Sequence, residues 1–514
     1  MRRALAAASL AFAGVVGLAL LLRLLPHAIA TGDAAATEIF VLHATRGPWP
    51  LGPYSQFYWN HPGPLMFYLL APVYALSGQH AQALNVGAAL LNLAAAGMLL
   101  RIAARAAEPV ATVAISLALA AWLVRAPETL SSFWNPVLIA LPAALFVWLC
   151  SAATTGGAMS MVAVVGVGSL LAQSHVGLVP PVALSFVAAT AAGWHRASRA
   201  GSDARRSWRL GLASAIVFGL ALWALPLNEQ LTGEPGNLTL IARFFAGAPR
   251  GTRSLGESAT LWADALTQVA RPGFHQPIGV PLSVATHPWL VAAGGGLLAL
   301  LGAMAWRTRG RPGLASAASF HALIALIGLA AIHRVPGLVG DYTIFWLAPV
   351  GASAIALVAA WAFAALVGRV VRDTTALATF AKRWLPRVVL LIAVGSTALD
   401  LRGHLSGAGS PQRFDALSGQ IRAGLEARGI RDPLVFIDND AWAEAAAALL
   451  QLYKRQEPFA VDPAWRFMYG QPLTAARCHT HAMRFGLGEG SGDVIARSGS
   501  ASVNVERRTT CPPY

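Results

Sequence analysis

Asp33 and Glu38 are the residues best placed to do chemistry in this chain. They lie in TGDAAATEIFVL, residues 31–42, just past the first apolar run. Carboxylates beside a bilayer are costly and usually have a task. In a poorly solvated cleft a carboxylate has its pKa raised, and it can then take a proton from a hydroxyl. Asp33 follows Thr31-Gly32 and precedes a run of alanines. It reads either as such a general base or as the N-cap of a helix on the membrane surface. Glu38 lies about 140° round a helix of 3.6 residues per turn from Asp33, so the two do not share a face. It reads either as a second catalytic group or as a solvated helix residue.

A second set of candidates follows in WNHPGPLMFYLLAPVYALSG, residues 59–78. Aromatics from Tyr54 to Tyr74 alternate with Pro62, Pro64 and Pro72. Interfacial aromatics sit at headgroup level, and closely spaced prolines break a spanning helix. This predicts a short surface or re-entrant helix with Tyr58, Asn60 and His61 as candidate substrate contacts. Polar residues recur beside proline at later span ends: Asn135 in SSFWNPVL and His175 in QSHVGLVPP. Each is either a helix-end cap or part of one polar cavity. Arg334 and Asp341 close the set. An outer-face arginine suits a phosphate, or it pairs with Asp341. Arg125, close to Glu128, has the same two readings.

The elements that must position these residues are set by composition. The chain has 514 residues, 56% of them hydrophobic and 12% charged. A soluble chain carries about 25% charged residues, so this one is solvated largely by lipid. Most of the net charge of +15 belongs to residues 1–400, with 25 Lys/Arg against 12 Asp/Glu; residues 401–514 hold 13 and 11. That excess fits the positive-inside rule, and a nucleic-acid partner is excluded because no basic patch interleaves with aromatics.

About eleven spans are expected, near 5–25, 81–100, 109–124, 136–151, 158–173, 177–193, 211–227, 288–306, 314–332, 342–365 and 386–400. The first resembles a signal peptide with AIA at 28–30, but its apolar run reaches Leu25 and is long enough to span, so it is read as uncleaved. One side collects the clusters at Arg2, Arg101, Arg196, Arg307 and Arg369; the short loops opposite hold Arg46, Arg125 and Arg334. The N-terminus is therefore expected in the cytoplasm, with loops 26–80 and 228–287 outside. An odd span count puts the tail outside too.

Residues 1–400 are thus expected as a membrane domain and 401–514 as a small extracytoplasmic α/β domain. PLVFID (433–438), PFAVD and DVIARSG read as strands, and 438–456 reads as a helix capped by Asn439 or Asp440. Cys478 and Cys511 are either a disulfide or two free thiols, and Cys150 is core packing.

GDAAATE, WNHPGPLMFYLLAPVYALSG, SSFWNP, QSHVGLVPP, the late RVPG…DYTIFWLAP and the outer C-terminal domain together resemble the integral-membrane GT-C glycosyltransferases. These use polyprenyl-phosphate sugars; nearest are the protein mannosyltransferase-like and aminoarabinose transferase-like bacterial relatives. The resemblance implies a lipid-linked sugar donor, the bilayer and an envelope acceptor as partners, in the bacterial inner membrane. It implies Asp33 as the base for inverting transfer, Arg334 as partner of the leaving phosphate, and His61 or Glu38 as an orienting group. Many members carry two adjacent acids at this point. Here Asp33 is followed by Ala34 and the next acid is Glu38. A divalent cation is the only cofactor the resemblance raises, and few carboxylates are there to hold it. A transporter, a non-catalytic envelope assembly protein and a polysaccharide polymerase or ligase are the competing classes.

Overall fold

The computed structural model describes residues 14–24, 28–106, 109–155, 158–247, 253–271, 277, 279–282, 286–367, 375–405, 412–488 and 492–508. The chain is α-helical and polytopic, with a small C-terminal sheet. It divides into two compact units. One comprises Met1–His61, Phe67–Gly87 and Leu401–Tyr514; the other comprises Pro62–Met66 and Ala88–Asp400. The division thus differs from a simple boundary at residue 400, because most of the first loop falls with the C-terminal segment.

Among the described residues, eight helices are long and apolar enough to cross a membrane: Gln82–Ala106, Asn135–Thr155, Val176–Ala200, Ser202–Thr232, Pro288–Arg307, Pro312–His333, Leu347–Leu366 and Arg383–Arg402. Two more expected spans are the shorter apolar helices Pro109–Arg125 and Met159–Ser174. The expected first span, 5–25, lies partly outside the described residues; of its described part, 14–22 are helical. After the aromatic loop comes the helix Leu65–Leu76, with Pro72 inside it. At 1.5 Å per residue its length is about 18 Å, short of a bilayer core of about 30 Å.

Within the larger unit, Asn135–Thr155 is almost wholly buried, whereas Ser202–Thr232 and Arg383–Arg402 are mostly exposed. Leu210, Val217, Leu220, Leu391 and Leu399 are among the exposed apolar side chains, as a lipid solvent requires. Several buried polar groups pair with one another: Trp148 Nε1 donates to Ser353 Oγ at 2.9 Å, and Ser353 Oγ also lies 3.1 Å from His321 Nε2. Trp262 Nε1 donates to the Ala325 carbonyl at 2.8 Å. At Gly351 a Cβ would fall 1.8 Å from the Leu266 carbonyl, so this helix crossing requires glycine.

In the smaller unit, five strands form a sheet in the order β2-β1-β3-β5-β4, where β1 is Leu434–Ile437, β2 Ala460–Val461, β3 His481–Leu487, β4 Asp493–Ser498 and β5 Ala501–Arg507. β2, β1 and β3 run parallel; β5 runs antiparallel to both β3 and β4. The helix Gln412–Glu426 packs on β4, where Gly424 leaves room for Ile495. The helix after β1 is Trp442–Lys454, and its N-cap is Ala441, not Asn439 or Asp440. Cys478 is disulfide-bonded, Cys150 is free, and Cys511 lies outside the described residues.

The first-loop helix Gly32–Arg46 packs against Trp442–Lys454 through a largely buried polar contact. Lys454 Nζ forms an ion pair with Glu38 Oε1, and Tyr74 donates its hydroxyl to the same oxygen at 2.8 Å. Glu38 is 0% exposed. Lys454 also donates to the Gln79 carbonyl at 3.0 Å. A second contact lies one turn on. His43 sits between the Tyr469 carbonyl at 2.9 Å and the Tyr453 hydroxyl at 3.0 Å, and stacks on Trp49. Burial holds its imidazole down at about 4, so it is neutral at physiological pH. Removing one partner of a buried ion pair costs about 3–5 kcal/mol because the other charge is left uncompensated. Lys454→Ala is therefore expected to lower the thermal midpoint of this unit sharply. Adding Glu38→Gln should recover most of the loss, as read by thermal unfolding of the purified protein in detergent.

Candidate active site

Asp33 stands in the first turn of Gly32–Arg46. The N-cap is Thr31, which makes no side-chain cap, so Asp33 is not the cap itself. Gly32, the first residue of the helix, has φ +53°, a backbone turn that glycine makes without strain. The Asp33 carboxylate is half-buried and accepts a hydrogen bond from the Tyr54 hydroxyl. Burial raises its pKa, and the Tyr54 hydrogen bond opposes that rise. The helix N-terminus also favours the ionised form. The result is a carboxylate that is fixed in place and short of water.

Tyr54 comes from a tight hairpin. The Ser55 amide donates to the Trp59 carbonyl at 2.9 Å, and the His61 amide to the Pro53 carbonyl at 2.7 Å. Asn60 is buried and donates from Nδ2 to the carbonyls of Gly52 at 3.2 Å and Phe467 at 3.0 Å. His61 is buried and meets Trp59 edge to face, with ring centroids 5.5 Å apart. Tyr58 at the hairpin tip is 69% exposed with φ +64°. Thus Asn60 braces the loop, while Tyr58 is presented outward.

Glu38 does not join Asp33. It is enclosed by Lys454 and Tyr74, which corrects the expectation of a second catalytic carboxylate: a group with no exposure and a lysine partner has no route to a substrate. The solvated-residue alternative fails on the same burial.

The other candidates belong to the larger unit. Asn135 begins the helix Asn135–Leu138 and donates from Nδ2 to the Ser174 carbonyl at 2.9 Å. The next residue, His175, is the N-cap of the turn Val176–Leu178, its Nδ1 accepting from the Gly177 amide at 3.2 Å. The two are therefore neighbours, and both serve helix ends. Asp341 is buried, and its Oδ1 accepts from the Gly279 amide at 3.1 Å. Arg334 caps the helix Pro312–His333 and is exposed. Among the described residues no ion pair joins it to Asp341. Arg125 does not pair with Glu128 either; it donates to the carbonyls of Val269 at 2.7 Å and Arg271 at 2.5 Å.

Several residues of these sites escaped the sequence reading. Arg253 is buried and donates to the carbonyls of Ile332 at 3.0 Å and Gly337 at 2.5 Å, bracing the loop that carries Arg334. Tyr54 gave no signal beyond its aromaticity. Lys454 did give one: it is one of two lysines in a chain with 36 arginines. Among the described residues no three His, Cys, Asp or Glu side chains converge to hold a metal ion.

The architecture matches solved structures over nearly its whole length. The crystal structure of ArnT from Cupriavidus metallidurans bound to undecaprenyl phosphate superposes with a TM-score of 0.53 at 16% identity, covering 98% of this chain and 99% of that one. The apo structure of the same protein gives 0.51 at 15% identity, covering 97% and 98%. The chain has the fold of ArnT. The ArnT fold includes the C-terminal segment, since coverage extends over almost all of both chains. No family model matches the chain, and no curated protein matches it.

Because burial raises the Asp33 pKa, the folded state holds that proton to higher pH than the unfolded chain, whose ordinary value is 3.8. Its contribution to stability is complete below that value and is lost as pH rises through the raised one. Asp33→Asn is therefore expected to raise the thermal midpoint at pH 7 relative to wild type. The gap should shrink as pH falls toward 4, as followed by thermal unfolding across a pH series.

Proposed function

We propose that this protein is a membrane glycosyltransferase that moves a sugar from a polyprenyl-phosphate donor to an envelope glycan, lipid or protein acceptor. The transfer takes place on the outer face of the bacterial inner membrane, with the N-terminus in the cytoplasm and the C-terminal segment outside. One observation carries the reading: a half-buried, hydrogen-bonded carboxylate opens the first-loop helix of an ArnT-like fold, and ArnT itself was crystallised with undecaprenyl phosphate.

In this reading Asp33 takes the proton of an acceptor hydroxyl. The oxygen forms a bond to the anomeric carbon from the face opposite the donor phosphate. The bond between that carbon and the phosphate oxygen breaks, and the lipid phosphate leaves with the electron pair. This inverts the anomeric centre. Arg334 answers the charge on the leaving phosphate, since a planar guanidinium matches its oxygens. His61 and Asn60 shape the hairpin that holds Tyr54 on Asp33, and Glu38 anchors the helix that carries the base. Asn135, His175 and Asp341, which hold chain ends and turns within the larger unit, are the further candidate substrate contacts in this reading.

A positioned general base contributes about 10²–10⁴-fold to rate. Membranes incubated with radiolabelled polyprenyl-phosphate sugars should label an envelope acceptor with wild type, and Asp33→Asn at equal expression should lower the rate by roughly that factor. Unchanged transfer in Asp33→Asn removes the base. Arg334→Ala should raise the donor KM roughly tenfold to a hundredfold, the worth of a charge-assisted hydrogen bond. Tyr54→Phe should move the acid limb of the pH–rate profile to higher pH, because the hydrogen bond that lowers the Asp33 pKa is gone.

A further inference from the structure

We propose that an aromatic platform beside Asp33, built from Tyr58, Trp465 and Phe467, is a subsite for a pyranose ring of the acceptor. The proposal rests on the transferase reading for its purpose, and its geometry stands apart from that reading. Trp465 and Phe467 stack with ring centroids 5.8 Å apart and planes 21° from parallel. Tyr58 meets Phe467 edge to face at 5.0 Å and 77°. Tyr54, whose hydroxyl holds Asp33, leans on the same Phe467 ring at 5.9 Å. A single side chain thus touches both the candidate base and the platform.

The rings are held from behind. Trp465 Nε1 donates to the Ile437 carbonyl at 3.1 Å, at the end of β1, and the Phe467 carbonyl accepts from Asn60 at 3.0 Å. The Trp465 indole N–H and the Phe467 backbone are therefore both engaged with the protein. Tyr58 is the informative member. It is 69% exposed and has φ +64°, a conformation in which a bulky residue is strained and glycine is not. A turn needing only that backbone would be served better by glycine. Strain held at an exposed aromatic points to use of the ring.

The class of ligand follows from the surroundings. Polar groups form a rim in sequence and through Tyr54: the half-buried Asp33 is held by Tyr54, and Gln56 and Arg466 are exposed beside Tyr58 and Phe467, with the exposed Phe57 between Gln56 and Tyr58. A pyranose offers a face of C–H groups that stack on the electron-rich face of an aromatic ring, and hydroxyls around its edge for such a rim. A sugar seated there presents a hydroxyl within reach of the loop that carries the base.

The test uses the full-length protein in nanodiscs and saturation-transfer NMR with methyl β-glycosides of glucose, galactose and N-acetylglucosamine. No lipid-linked donor is present, so the result is independent of transfer activity. At least one glycoside should receive saturation on the protons of one ring face. The signal should fall at least fivefold in Tyr58→Gly and in Phe467→Leu, and persist in Asp33→Asn. Tyr58→Gly should unfold at the same or a higher temperature than wild type, because glycine relieves the backbone strain while removing the ring. No saturation with any of the three glycosides in wild type, or equal saturation in wild type and a folded Tyr58→Gly, overturns the subsite. Loss of transfer in Asp33→Asn with glycoside binding unaffected by the ring variants would leave the transferase standing and remove the platform.

Discussion

A fully buried glutamate and a mostly buried lysine, Glu38 and Lys454, set the geometry on which the smaller unit depends. Burying two charges costs several kcal/mol per ion, and mutual attraction repays this only with good geometry and extra hydrogen bonds. Tyr74 and the Gln79 carbonyl supply those bonds. Such a pair adds little net stability over an apolar replacement, but it tolerates no change of register, since a slipped partner leaves a bare charge behind. It fixes the rotation of the first-loop helix, and Asp33 lies on that helix one and a half turns toward its start. The neutral His43, bridging Tyr453 and Tyr469, sets the same helix from a second point.

Two carboxylates on one helix therefore meet opposite environments. Glu38 is neutralised by a fixed cation and held apart from solvent. Asp33 has a neutral hydroxyl as its partner, remains half exposed, and is pushed by desolvation toward binding a proton. Their angular separation of about 140° on an ideal helix makes the division possible, because no single cleft wall can hold both. The difference in partner, more than the shared chemistry, separates an anchor from a candidate base.

Much of this was legible in the sequence, and the failures have a common cause. Apolar runs located the eight helices long enough to cross a membrane, because each is decided by its own composition. PLVFID, PFAVD and DVIARSG announced β1, β2 and β4 for the same reason. β3 and β5 were missed: HAMRFGL interrupts its alternation with Arg484 and Gly486, and ASVNVER buries Asn504 where a polar residue is not expected. The roles of Glu38, Asn60 and Tyr54 depend on residues such as Lys454 and Phe467, some 400 positions distant. Local pattern carries no information about such partners. It showed that an acid at position 38 needed a reason, and could not say that the reason was a cation.

The smaller unit joins the first 61 residues and a short stretch ending at Gly87 to the segment after residue 400. On the ribosome, the helix bearing Asp33 emerges long before the lysine that will lock it. For the time needed to synthesise more than 300 intervening residues, Glu38 has no counter-ion and Asn60 lacks its Phe467 acceptor. The loop can mature only after Lys454 and Phe467 have been made, so a product truncated before them would carry its candidate base on an unfinished scaffold. Synthesis of the segment after residue 400 thus acts as a built-in licence for the first loop.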